Sequence, residues 1–122
     1  MNIILAIFFG GGLGSVARYG VSKYVSSLWN GTFPLGTLIA NLLSCLVMGL
    51  AISYFYDKTS STELKAMILI GFCGGFSTFS TFSNETFSLL QNGNYFIAGL
   101  NVIVSVVFCM AVLMMTQLSV NN

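Results

Sequence analysis

The chain has 122 residues, of which 56% are hydrophobic and only 6% charged, against about 25% charged in an average soluble domain. Four basic and three acidic side chains cannot cover the surface of a water-soluble domain of this size, so the bilayer is the expected solvent and one domain the expected count. There is no basic patch to neutralise phosphates, and nucleic acid is not an expected partner.

A membrane span needs roughly 20 mostly apolar residues. Four fit, at about residues 2–25, 34–56, 63–90 and 95–118, giving an all-α integral membrane protein. The first opens with "MNIILAIFFGGG", which lacks the positive n-region of a secretory signal and reads as a retained span. Gly10 and Gly14 form a G-x-x-x-G pair suited to close helix contact. Arg18 follows "GGGLGSVA" near the end of this span. Snorkelling to the interface accounts for its position; a functional role is the other reading, because a charge within a span is costly. The turn "SSLWNGTFP" ends in Pro34, which opens the next helix. Span two holds Asn41 within "LGTLIANLLS". Its amide can bond a neighbouring helix or offer two donors to an anion. "YDKTSSTE" carries most of the charge, and Thr62 or Ser61 caps the third helix.

Span three contains "IGFCGGFSTFSTFSNE". Gly71, Gly74 and Gly75 weaken a helix and predict a break among them. Freed backbone groups at membrane depth are tolerated only against protein, water or an ion. Carbonyls at such a break can coordinate a cation, and amides at the new helix start can face an anion. Beyond the break, Phe76, Phe79 and Phe82 step around an ideal helix by about 60° each. Ser80 and Ser83 share their broad face, with Thr78 and Thr81 round the other side. Helix hydroxyls often bond the carbonyl one turn back, and phenylalanines three apart commonly just pack. Their alternation beside a glycine break is the informative feature. Helical geometry does not separate Phe76 from the other two rings. Glu85 stands near the end of the span, at the interface, paired with a cation, or protonated. "QNGN" is a polar turn, and in span four Asn101 and Ser105 share one face. Cys45, Cys73 and Cys109 have no metal-ligand spacing, there is no histidine, and the thiols read as small packing residues.

These residues describe an anion path. A phenyl ring has a positive edge that meets an anion without formal charge. Hydroxyls and an asparagine amide supply donors. No lysine or arginine lies at the expected midplane to trap the ion, and conduction needs sites that also release it. Four short helices from one chain cannot easily wall such a path alone, so oligomerisation is expected. Lys58 and Lys65 lie on one side of the membrane; Lys23, with or without Arg18, lies on the other. The positive-inside rule gives almost no preference. Charge alone leaves open both a dual-topology chain, assembling as an antiparallel homodimer, and a chain of single orientation.

"GGGLGSVARY", "PLGTLIANLLSCLVMG" and above all "GFCGGFSTFSTFSNE" resemble the fluoride channel family known as Fluc or CrcB. The resemblance spans nearly the whole chain, with span four matching only in character. It implies an antiparallel dual-topology dimer with two pathways that passively export fluoride. By this resemblance Phe79 and Phe82 are the pore phenylalanines and Asn41 the pore amide. Ser80 and Thr81 are hydroxyls of the ion track, with Ser105 a candidate alongside them, and Arg18 sits near the aqueous entrance. The resemblance also implies a structural sodium ion on the dimer twofold, held by carbonyls of Gly74 and Ser77. Ser77 stands where the family often has threonine. The main rival is a small multidrug-type exporter, which needs a carboxylate in the first span; here the only intramembrane acid outside the loop is Glu85, in span three. A second rival is a non-transporting subunit whose hydroxyl–phenyl face only packs against a partner.

Overall fold

The computed structural model describes residues 2–119 and residue 122, and every regular element among them is helical. Helix α1 (Ile3–Leu28) starts where the Asn2 side chain accepts from the Ile4 N–H at 2.9 Å. It runs past the expected end at Val25, so its last turn carries Leu28 out beside Trp29. Pro34 occupies the position just before α2 (Leu35–Phe55), as its fixed φ suits. Of the two candidate caps for the third span, Ser61 is the one used. Its hydroxyl accepts from the Leu64 N–H at 3.2 Å and opens α3 (Thr62–Lys65). A π-helical stretch (Ala66–Phe72) and α4 (Cys73–Phe76) continue the span, and α5 (Phe79–Gln91) completes it. The turn before α6 (Tyr95–Leu118) is closed by Gly93 at φ 78°, a conformation that favours glycine. Among the described residues, four stretches are long and apolar enough to cross a membrane: Ile3–Leu28, Leu35–Phe55, Thr62–Gln91 and Tyr95–Leu118.

The third span is broken, but not at its glycines. Gly71 lies inside the π-helical stretch, and Gly74 and Gly75 lie in α4. The chain leaves the helix at Ser77 (ψ 158°) and Thr78 (φ −149°, ψ 114°), both extended. Side-chain competition for backbone hydrogen bonds explains the position. The Thr78 N–H is taken by Asn41 Oδ1 at 2.7 Å, and the Thr81 N–H by Thr78 Oγ1 at 3.2 Å. Neither N–H then continues the helical ladder back to Gly74 or Ser77.

Most of the glycines serve packing instead. Helix α1 lies against the π-helical stretch and α4, backbone to backbone. A Cβ on Gly71 would stand 2.8 Å from the Ile7 carbonyl oxygen and 3.0 Å from the Gly11 nitrogen. A Cβ on Gly10 would overlap the Met67 carbonyl, one on Gly14 the Phe72 carbonyl, and one on Gly75 the Gly11 carbonyl. Dispersion contact between closely apposed backbones is what holds helices together in lipid, where apolar burial drives nothing. Replacing Gly10 by valine forces these helices apart. A loss of roughly 1–3 kcal/mol is expected from overpacking, read as a lowered Tm of the detergent-solubilised protein.

The remaining contacts fix the rest of the bundle. Helix α2 packs on α6 and on α1, and α5 packs on α6. The outward surface is apolar, with Phe8, Phe9, Phe96 and Met115 all exposed. Lys58 Nζ stands 3.7 Å from the centre of the Tyr54 ring where α2 ends, a cation–aromatic pair suited to a membrane interface.

Candidate ion pathway beside the helix break

The break puts α5 on a new axis and so separates the three phenylalanines that an ideal helix leaves equivalent. Phe76, the last residue of α4, is 5% exposed and packs edge-on against Phe72 at 5.5 Å. Phe79, the first residue of α5, is 79% exposed. Its ring lies 5.9 Å from that of Phe82, tilted by 38°. Phe76 therefore belongs to the core, while Phe79 and Phe82 border a cavity of about 270 Å³.

That cavity brings together residues from α2, the break, α5 and α6. Asn41, Cys45, Ser77, Thr78, Phe79, Phe82, Ser105, Val106 and Cys109 line it, and none carries a formal charge. Asn41 does two things at once. Its Oδ1 accepts from the Thr78 N–H, and its Nδ2 donates to the Thr78 carbonyl at a long 3.4 Å. An amide nitrogen carries two hydrogens, so one donor remains for the cavity. The two alternatives for Asn41, structural partner and ligand donor, are thus compatible in one side chain.

Thr78 was not singled out in the sequence, yet it is the hub of the break. Its hydroxyl accepts from the Thr81 N–H, donates to Thr81 Oγ1 at 3.0 Å and stands 3.4 Å from Ser80 Oγ. Ser80 and Thr81 are themselves exposed and lie on the first turn of α5, outside the cavity lining. A cap signal was present at Thr78, but Ser77, Ser80, Thr81 and Ser83 beside it offered several equivalent caps.

Ser105 sits at the end of a hydrogen-bonded chain that ties α6 to α5. It donates to Asn101 Oδ1 at 3.3 Å; Asn101 Nδ2 donates to Thr86 Oγ1 at 2.9 Å; Thr86 Oγ1 donates to the Phe82 carbonyl at 2.8 Å. Asn101, 1% exposed, is sealed within this chain and does not reach the cavity. Arg18, half-buried on α1, also lies outside the cavity lining. Glu85 accepts from the Thr37 hydroxyl through Oε1 at 2.8 Å, while its buried Oε2 has no partner among the described residues.

The break also frees carbonyls. With the Thr78 and Thr81 N–H groups captured by side chains, the carbonyls of Gly74 and Ser77 have no backbone partner among the described residues. By contrast the Cys73 carbonyl is heavily used, accepting from the Ser77 N–H at 3.0 Å, the Ser77 hydroxyl at 2.9 Å and the Ser44 hydroxyl at 2.8 Å. Gly74 faces open space, with nothing within 4 Å of where a Cβ would stand. Uncommitted carbonyl oxygens are a donor set that suits a hard cation.

Residues 5–117 match the family described as CrcB-like protein, Camphor Resistance (CrcB). The chain is 48% identical over 113 residues to a fluoride-specific ion channel FluC of Coxiella burnetii, covering 91% of this chain and 90% of that one. It is 40% identical over 117 residues to a fluoride-specific ion channel FluC of Shewanella baltica, covering 96% and 94%. A protein of the same name from Dehalococcoides mccartyi is 43% identical over 107 residues, covering 87% and 82%. A match across four membrane-spanning stretches and the broken third span leaves no large part of this fold outside the family, and the chain belongs to the CrcB-like family.

Proposed function

We propose that this protein is a passive, fluoride-selective channel and not an enzyme. The observation that carries this reading is the uncharged cavity in which two phenyl rings, one amide and three hydroxyl residues converge beside a helix break. Fluoride is small and strongly hydrated, so it gains most from close donors such as the remaining Nδ2 hydrogen of Asn41 and the Ser105 hydroxyl, once that hydroxyl turns from its long 3.3 Å bond to Asn101. The positive ring edges of Phe79 and Phe82 add attraction without a fixed charge. Each contact is weak enough to release the ion, which conduction requires. The names of the relatives point to the same ion. Ser80 and Thr81 extend the hydroxyls along α5, and Arg18 attracts the anion near an aqueous entrance.

The cavity is open on the side where Phe79 protrudes, and a second copy of the chain closes it. The near-neutral charge bias between loops permits an antiparallel homodimer with two pathways, the assembly that the family resemblance implies. The freed carbonyls of Gly74 and Ser77 fit a structural sodium ion shared by two such breaks. When bound, that ion supplies a fixed positive charge that neutralises inward-facing carbonyl dipoles. In the plasma membrane the channel exports fluoride that has entered as hydrogen fluoride and ionised inside.

An exporter of the small multidrug type exchanges protons on a carboxylate in its first span, and α1 has none. The test is efflux from liposomes that contain only this protein. Fluoride is expected to leave rapidly down its gradient, while chloride stays close to the rate of empty liposomes. Fluoride efflux no faster than from empty liposomes, with monodisperse protein, would falsify the channel reading.

A further inference from the structure

Two of the three thiols line one cavity. Cys45 on α2 and Cys109 on α6 are half-buried and free, and the two helices that carry them pack against each other. Each lies one helical turn beyond a polar cavity residue, Cys45 after Asn41 and Cys109 after Ser105. Both line the same cavity as the two phenyl rings. Cys73 differs: it is fully buried in α4 and does not line that cavity.

We propose that Cys45 and Cys109 form a two-coordinate thiolate site for mercuric ion, a soft divalent metal, and that loading it blocks the ion path. Thiolates are the ligands that select soft metals, and two thiols lining one cavity from adjacent helices suit a linear S–Hg–S unit. Mercuric chloride is neutral and reaches a bilayer-depth cavity without crossing a charge barrier. The exchange balances as HgCl2 plus two thiols giving the bis-thiolate, two protons and two chlorides. Two Hg–S bonds form, two S–H and two Hg–Cl bonds break, and nothing is oxidised. The product carries no net charge, which a low-dielectric site requires. A monovalent soft ion would leave an anionic bis-thiolate there and is disfavoured. The metal then occupies the cavity that Asn41, Ser105, Phe79 and Phe82 also line, one helical turn along α2 and α6 from the two polar residues.

The blocking step rests on the channel reading; the binding step does not, and the two are read separately. Mercuric chloride is titrated into the detergent-solubilised protein while thiolate–mercury charge-transfer absorbance and proton release are followed. Wild type and Cys73→Ala are expected to bind one ion with release of two protons, and Cys45→Ala and Cys109→Ala to release only one, because a single thiolate leaves one chloride on the metal. In the unsubstituted protein, prior mercuric ion is expected to protect Cys45 and Cys109 from alkylation, read by peptide mass, which needs no variant to fold. Mercuric ion is expected to stop fluoride efflux from wild-type liposomes, with recovery on adding a dithiol, and to leave the double variant Cys45→Ala with Cys109→Ala at its own starting rate. Two protons released per ion in both single variants, or alkylation of the pair undiminished by metal, overturns the site. Binding as described with efflux untouched overturns the block.

Discussion

Fluoride efflux from liposomes carrying Phe82→Ile or Phe79→Ile is expected to fall more than about tenfold, which corresponds to at least about 1.4 kcal/mol in the barrier. Isoleucine keeps much of the apolar bulk but has no ring, so it has no positive edge to offer an anion. The change therefore removes an interaction rather than filling or emptying space. Phe79 is exposed in the single chain and supports little of its core, so its replacement leaves folding intact. Phe82 is half-buried beside it, 5.9 Å between ring centres, and presents the next step along the same wall. Phe76→Ile is the informative contrast. That ring is buried against Phe72, so its loss is expected to cost about 1–3 kcal/mol of stability while flux per folded protein stays near wild type. Size-exclusion profiles and thermal unfolding separate the two kinds of loss. Unchanged efflux in both Phe79→Ile and Phe82→Ile would remove the rings from the pathway.

That contrast marks the limit of what the sequence carries. The four spans are legible because bilayer depth demands long apolar runs, and the polar turns between them are short and compositionally distinct. The polar residues around the path stand out for the same reason: a side chain such as Asn41 is costly in lipid unless it has a task. What the sequence misplaces is the break. Glycines at Gly71, Gly74 and Gly75 lower helix propensity, but propensity is a weak prior that tertiary packing overrides. Here the lack of a Cβ at Gly71 and Gly75 lets α1 approach the third span, and the helix persists through both. The break is made by Asn41, 37 positions away from Thr78 along the chain. A contact that distant leaves no periodic trace, and so the register of the three phenylalanines could not be resolved either. The convergence of Cys45 and Cys109 on one cavity from two helices was hidden for the same reason.

Asn41 is where structure and conduction depend on one side chain, and two substitutions are expected to separate them. Asn41→Ala removes both amide functions. The buried Thr78 N–H then loses its 2.7 Å partner, which costs about 1–3 kcal/mol for an unsatisfied donor. The break is no longer pinned to α2, α5 changes its aim, and both Tm and fluoride efflux are expected to drop. Asn41→Asp keeps an oxygen where Oδ1 accepts from Thr78, so the break stays in place. It removes the Nδ2 donor and sets an acceptor-only carboxylate, or a neutral acid, in an otherwise uncharged cavity. A negative charge there repels fluoride at close range in a low-dielectric setting, where Coulomb terms are far larger than in water. The expected result for Asn41→Asp is a folded protein with near wild-type Tm and efflux reduced below that of Asn41→Ala. Efflux tracking stability in both variants would mean that the amide only holds the break. Efflux lost in the aspartate variant with stability kept assigns the remaining Nδ2 hydrogen to the ion, and makes the residue that breaks the helix also the one that recognises what passes it.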